Sequence, residues 1–171
     1  LYTVQLPTET FSTKFLNIVI MELGNHITIN APKDFVASYL RTREYFDKWQ
    51  DNFKSATLLS GDLDQVSAQT RMLYKFGNSD IELLETVRNN NLPDSFEALY
   101  EHKHMDNIML SIFKDLDGDK TINSTQVKYI ELKGWIIKIM AKLFSGKFKK
   151  GPEKWMRQFK SFVESEWQRN E

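Results

Sequence analysis

His102 and His104 stand two residues apart in a run, 95–104, that alternates like a half-buried strand: Phe96, Ala98, Tyr100, His102 and His104 against Glu97, Glu101 and Lys103. At that spacing both imidazoles point the same way. In the preceding run, 80–89, Ile81, Leu83, Glu85 and Val87 take the covered side against Asp80, Glu82, Thr86 and Arg88. A histidine pair beside a carboxylate suits a metal ion, or general acid–base chemistry on an enolisable substrate. No further residue type completes a ligand set, so neither a metal nor a cofactor is expected. His102 and Glu85 are the catalytic candidates, behind the plainer reading that His102 lines a cavity and that His104 lies at the strand end in solvent.

The string Asp115-Leu-Asp117-Gly-Asp119 begins like a calcium loop, with oxygen donors at its first, third and fifth positions. Such a loop needs glycine sixth and a bidentate glutamate twelfth. Here those positions hold Lys120 and Gln126. The lysine sets a positive charge beside the ion and the glutamine removes a carboxylate, so the string reads as an acidic hairpin turn. No glycine-rich phosphate loop, nucleophile elbow or paired-carboxylate motif is present.

Tyr74, Glu85, Tyr100, His102, Tyr129 and Glu131 are polar groups on the covered face of their runs. Left unpaired there, each would cost about 1–3 kcal/mol. They either pair with one another or orient the polar end of a ligand. With Met72 from the strands, and Trp135, Trp155 and Phe159 from the chain that follows, they define a candidate ligand cavity: Met72, Tyr74, Glu85, Tyr100, His102, Tyr129, Trp135, Trp155 and Phe159.

The elements that must position these groups follow from the pattern. Residues 1–14 form an extended lead-in, and 15–30 a long strand with a bulge near Gly24-Asn25. Residues 35–49 make two short helices, capped by Asp34 or Ser38, with Phe35, Tyr39, Leu40, Phe46 and Trp49 inward. From 53 the period falls to two, giving runs 53–60, 65–76, 80–89, 95–104, 107–114 and 121–133 joined by short turns, hence an antiparallel meander. Residues 135–148 form an apolar wall segment. The last helix runs 152–169 from Pro152, a residue favoured at the first helical position, and carries Trp155, Met156, Phe159, Phe162, Val163 and Trp167 on one arc. The expected architecture is α+β, a curved sheet gripping that helix with a cavity between.

The totals narrow the function classes. The chain has 171 residues, 41% hydrophobic and 13% aromatic, enough for one domain with a core. Lys+Arg and Asp+Glu balance at 23 each, which argues against nucleic acid as the main partner. No cysteine is present, so disulfides and thiolate metal sites are excluded, and a cytoplasmic setting is the expectation. No apolar run has the length of a membrane span, so stable membrane insertion is not expected. The chain opens at Leu1, and a preceding targeting segment stays open. Lys147, Lys149, Lys150, Lys154, Arg157 and Lys160 could touch an anionic membrane, but the interspersed Glu153 and Glu164 favour a solvated helix face.

The order of these elements resembles the START-like (SRPBCC) superfamily, in its polyketide cyclase/dehydrase and lipid-transport branch. The likeness is carried by Ile27-Thr-Ile-Asn-Ala-Pro32, Tyr39-Leu40 and Trp49. It continues in Met140-Ala-Lys-Leu-Phe144 through Phe148, Gly151, Phe159-Lys160 and Val163-Glu164, and spans about residues 15–167. Tyr129 stands where relatives have a tryptophan in the last strand. The resemblance implies a helix-grip fold holding a hydrophobic small molecule or lipid, without implying a reaction. Two rivals remain: a cofactor-free cyclase- or dehydratase-like enzyme, and an interaction domain with a filled core. Oligomeric state and ligand identity stay open.

Overall fold

The computed structural model describes residues 21–134 and 145–170. Strand β1 (Met21–Ile29) leads into helix α1 (Lys33–Arg41), a single 3-10 turn (Arg43–Tyr45) and the short helix α2 (Phe46–Trp49). Six strands follow: β2 (Phe53–Ser60), β3 (Gln69–Phe76), β4 (Ser79–Asn91), β5 (Ser95–Glu101), β6 (Met105–Leu116) and β7 (Lys120–Leu132). Helix α3 (Ser145–Asn170) closes the chain. The strands form one seven-stranded sheet in the order β1-β7-β6-β5-β4-β3-β2, antiparallel at every pairing. Register shifts in the β2/β3, β4/β5 and β6/β7 pairings add local twist, which helps the sheet curve.

The inner face meets α3. Met156, Phe159 and Val163 are the buried apolar residues of the helix, and Phe159 and Val163 join Ile29, Val36, Phe46, Trp49 and Phe113 in the core. Phe159 packs edge-on against Trp49 at 4.9 Å, and Trp167 against Phe35 at 4.9 Å. Polar ties fix the helix along its length: Lys160 Nζ donates to the Thr28 carbonyl at 2.6 Å, the Asn30 amide donates to Glu164 Oε1 at 2.7 Å, and Gln158 Nε2 donates to Asp51 Oδ1 at 2.8 Å. Lys154 also pairs with Asp51. The basic residues Lys154 and Lys160 thus serve the fold. No helix of the described residues is long and apolar enough to cross a membrane.

The β6–β7 connection confirms the hairpin reading of the aspartate-rich string. Asp117 and Gly118 both take left-handed backbone, φ 60° and 83°, a conformation that aspartate tolerates and glycine favours. The Gly118 amide donates to Asp115 Oδ2 at 3.3 Å, so one carboxylate serves the turn itself.

Several sequence expectations are corrected. Helix α3 starts at Ser145 and contains Pro152, rather than starting there. Proline fixes a helical φ wherever it stands, so an interior proline near a helix start resembles a first-turn one in sequence. No bulge occurs at Gly24-Asn25, which pair in unbroken register with Gln126 and Thr125. Neither Asp34 nor Ser38 caps α1: Pro32 stands at the cap without a side-chain bond, and Ser38 Oγ donates to the Phe35 carbonyl at 2.7 Å instead. Strand β3 begins at Gln69, because Gly61, Asp64 and Ser67 all have positive φ and turn the chain before it. Val66, which continues the alternation of Met72 and Tyr74 on the covered face of the run 65–76, is therefore 59% exposed. Strand β5 ends at Glu101, and Glu131 near the end of β7 is exposed. The lead-in 1–14, the first part of the 15–30 run and the apolar segment 135–144 lie outside the described residues.

Candidate functional site: a cavity under the terminal helix

Inward positions on β3 to β7, the α1–α2 corner and the first half of α3 line a cavity of about 230 Å³. Strands contribute Met72, Tyr74, Leu83, Glu85, Phe96, Tyr100, Asn107, Met109, Ser111, Val127 and Tyr129. Leu40, Arg41, Phe46, Trp49 and Gln50 come from the corner, and Gly151, Pro152 and Trp155 from the helix. Most of this wall is hydrocarbon or aromatic, with polar groups at a few points.

The main polar group is a buried ion pair. Arg41, the last residue of α1, reaches across to β4, where Nη1 donates to Glu85 Oε2 at 3.0 Å and Nη2 to Oε1 at 2.9 Å. This fork-on-fork geometry is the strongest form of the pair. Tyr100 on β5, cross-strand partner of Glu85, donates its hydroxyl to Oε2 at 2.8 Å. Arg41 also donates to Asp64 Oδ1, from Nε at 2.9 Å and Nη2 at 2.6 Å, and its guanidinium lies 4.2 Å from the Phe96 ring centre. Burial works against a charged guanidinium; Glu85, by charge and hydrogen bond, reverses that and raises the Arg41 pKa. Burial and then Glu85 push the Tyr100 and Tyr74 hydroxyls above the ordinary tyrosine value. Tyr74 donates to Gln50 Oε1 at 2.5 Å. Arg43 lies beside the cluster, its Nη2 donating to Thr70 Oγ1 at 2.9 Å, and its pKa is lowered by burial and then by Arg41.

The candidate cavity residues fall out as follows. Met72, Tyr74, Glu85, Tyr100, Tyr129 and Trp155 line the cavity. Phe159 borders a smaller adjoining void. Trp135 lies outside the described residues. His102 is moved out of the cavity altogether. Because β5 ends at Glu101, residues 102–104 form the turn into β6, and alternation no longer sets where their side chains point. His102 instead borders a surface hollow with Asp80, Glu82, Glu101, Lys103 and Lys133. Its amide donates to the Met105 carbonyl, and its Nδ1 accepts from the His104 amide at 3.3 Å. The pairing of His102 with Glu85 for acid–base work is therefore not formed. Both Glu85 oxygens are already taken by Arg41 and Tyr100. Among the described residues no group of three or more histidine, aspartate or glutamate side chains is placed to hold a metal ion.

The reading of the sequence overlooked Arg41, Asp64, Gln50, Asn107 and Ser111. A signal for the first was present: a glutamate placed inward on β4 demands a cation, and Arg41 follows directly on the inward Tyr39-Leu40.

Neither a family model nor a curated protein sequence matches the chain. Solved structures do. A START superfamily protein from Mycobacterium smegmatis superposes with TM-score 0.68 at 15% identity, over 84% of this chain and 97% of that one. The Zhui aromatase/cyclase from Streptomyces sp. R1128 gives 0.66 at 11% identity, over 84% and 93%. Ara h 8.0201 gives 0.66 at 12% identity, over 85% and 98%. At these identities the likeness is one of fold. A seven-stranded antiparallel sheet closed around a long C-terminal helix, with two short helices after its first strand, gives this chain the START-like helix-grip fold.

Proposed function

We propose that the protein binds a hydrophobic small molecule in the cavity between its sheet and α3. The observation that carries this reading is the cavity itself: about 230 Å³ left unfilled in the centre of the fold, walled chiefly by apolar side chains. Protein interiors ordinarily close such space, because unfilled volume forfeits packing energy. Ligand pockets typically run from roughly 300 to 1,000 Å³, so this one suits a compact ligand of one or two rings, or a short chain, better than a two-chain lipid. The Arg41–Glu85–Tyr100 cluster is satisfied internally and shapes one wall. The rival of a cyclase- or dehydratase-like enzyme draws less support, since Glu85 is engaged on both oxygens and His102 lies outside the cavity. A filled-core interaction domain draws less still.

Native mass spectrometry of the purified protein, followed by solvent extraction, tests the proposal. A reproducible adduct that partitions into organic solvent is the expected result. A clean mass, together with no quenching of tryptophan fluorescence by naphthalene, would overturn it, since Trp49 and Trp155 both line the cavity.

A further inference from the structure

Adjoining the main cavity is a second void of about 50 Å³, which shares the walls Leu40, Trp49, Met109, Ser111, Pro152 and Trp155 with it. Two residues bordering it, Trp49 and Asn123, each carry a buried polar atom with no hydrogen-bond partner among the described residues: Nε1 and Oδ1. Both residues are deeply buried, at 7% and 3% exposure. Nearly every buried polar group in a folded protein finds a partner, so two orphans on residues bordering one small void require explanation. The two are complementary: an indole N–H can only donate, and an amide oxygen can only accept.

Resting on the ligand-binding reading above, we propose that this adjoining void is a hydroxyl subsite, selecting apolar ligands that carry an alcohol or phenol. The hydroxyl oxygen accepts from Trp49 Nε1–H while its proton is donated to Asn123 Oδ1. Other head groups fit less well. A ketone or ether accepts from Trp49 and leaves Asn123 unmet. An ammonium group does the reverse. A carboxylate sets negative charge against the Asn123 oxygen, and none of the described residues around the void is charged. The volume holds one or two heavy atoms, enough for a hydroxyl with the carbon that bears it, given that a water takes about 30 Å³ in the liquid. The apolar body of the ligand then fills the main cavity, against Met72, Leu83 and Val127.

Isothermal titration of the full chain with 2-naphthol, naphthalene and 2-naphthoate tests the subsite. Water solvates naphthol better than naphthalene, which opposes any preference for naphthol, so one that appears must come from the protein. The expected result is 2-naphthol bound about tenfold more tightly than naphthalene, and more tightly than 2-naphthoate. In Asn123→Leu that preference shrinks to about twofold or less while naphthalene still binds, and in Trp49→Phe likewise. The Asn123→Leu chain melts no lower than the parent if the oxygen it removes is unpaired in the free protein. Equal binding of naphthol and naphthalene by the parent chain, the result if a held water already satisfies both atoms, would overturn the subsite and leave the cavity reading standing. A preference that survives both substitutions would overturn it too. Binding of none of the three compounds would remove the cavity reading, and the subsite with it. Should Asn123→Leu fail to fold, Trp49→Phe decides alone.

Discussion

At the scale of single residues, Arg41 and Glu85 form an ion pair buried beside the cavity. Their side chains are 8% and 2% exposed, so each depends on the other and on Tyr100 and Asp64 for the solvation that water no longer gives. Arg41→Met strips the carboxylate of its counter-charge and is expected to lower unfolding free energy in urea by about 3–5 kcal/mol. Adding Glu85→Leu removes the stranded charge, and the double variant should be more stable than Arg41→Met alone; a double variant less stable than the single one would mean the pair is not coupled as drawn. His102 gives a pH effect of defined sign. Burial, followed by His104, Lys103 and Lys133, lowers its pKa below the ordinary 6.5, with Asp106 opposing. The unfolded chain then binds the proton more readily than the folded one, so this stabilising contribution is present above 6.5 and lost as pH falls from 6.5 through the lowered folded value. Thermal melts from pH 8 to 5 should show a decline that is shallower in His102→Gln. Residue-level legibility was uneven for a physical reason. Alternation shows which way Glu85, Tyr74 and Tyr100 point, but a partner such as Arg41, 44 residues away in the chain, is brought near only by the packing of α1 on the sheet.

At the scale of elements, the connection between β2 and β3 is tied to α1 and β4 through Asp64, and to β4 again through Ser67 and Ala68. The Asp64 carboxylate accepts from Arg41 and the Asp64 carbonyl from Asn90 Nδ2 at 3.0 Å, while the Ser67 amide reaches the Val87 carbonyl at 2.8 Å. Asp64 has φ 63°, which asparagine tolerates as well, so Asp64→Asn tests the charge without straining the backbone. We expect a loss of about 1–2 kcal/mol and faster amide exchange across residues 61–68, with exchange in β6 and β7 unchanged. Phe159→Ala on α3 removes a fully enclosed ring, 2% exposed against Trp49, and should cost about 3–5 kcal/mol by chemical denaturation. Elements were the most readable level, because strand pairing and helix burial print their periods on the chain. The run 53–60 matches β2 end to end, and the aromatic arc of the last helix is the one that packs. Boundaries failed where the backbone changes direction without a change in polarity. The histidines continue the β5 alternation past Glu101 although the chain has already turned, and Val66 does the same before β3.

At the scale of the whole molecule, the fold leaves its own centre incompletely filled. Trp155 and Pro152 of α3 line the cavity together with the sheet residues, so the same aromatic arc that secures the helix also forms a cavity wall. Such an arrangement makes stability and occupancy one linked quantity: a ligand that binds only the folded chain adds RT ln(1 + [L]/Kd) to the unfolding free energy. At one hundred times its Kd, a cavity ligand should therefore contribute about 2.7 kcal/mol, a rise of roughly 5–11 °C in melting temperature for a chain of this size. Leu83→Trp supplies the control. Leu83 is half-buried at the cavity wall, and an indole in its place projects into the 230 Å³ space rather than into a packed core. That variant should fold, melt within a few degrees of the parent, and lose the ligand-induced shift. A Leu83→Trp chain that keeps the full shift would place the ligand somewhere other than beneath α3. Loss of the shift with the melt otherwise intact ties occupancy to the 230 Å³ cavity between the sheet and α3.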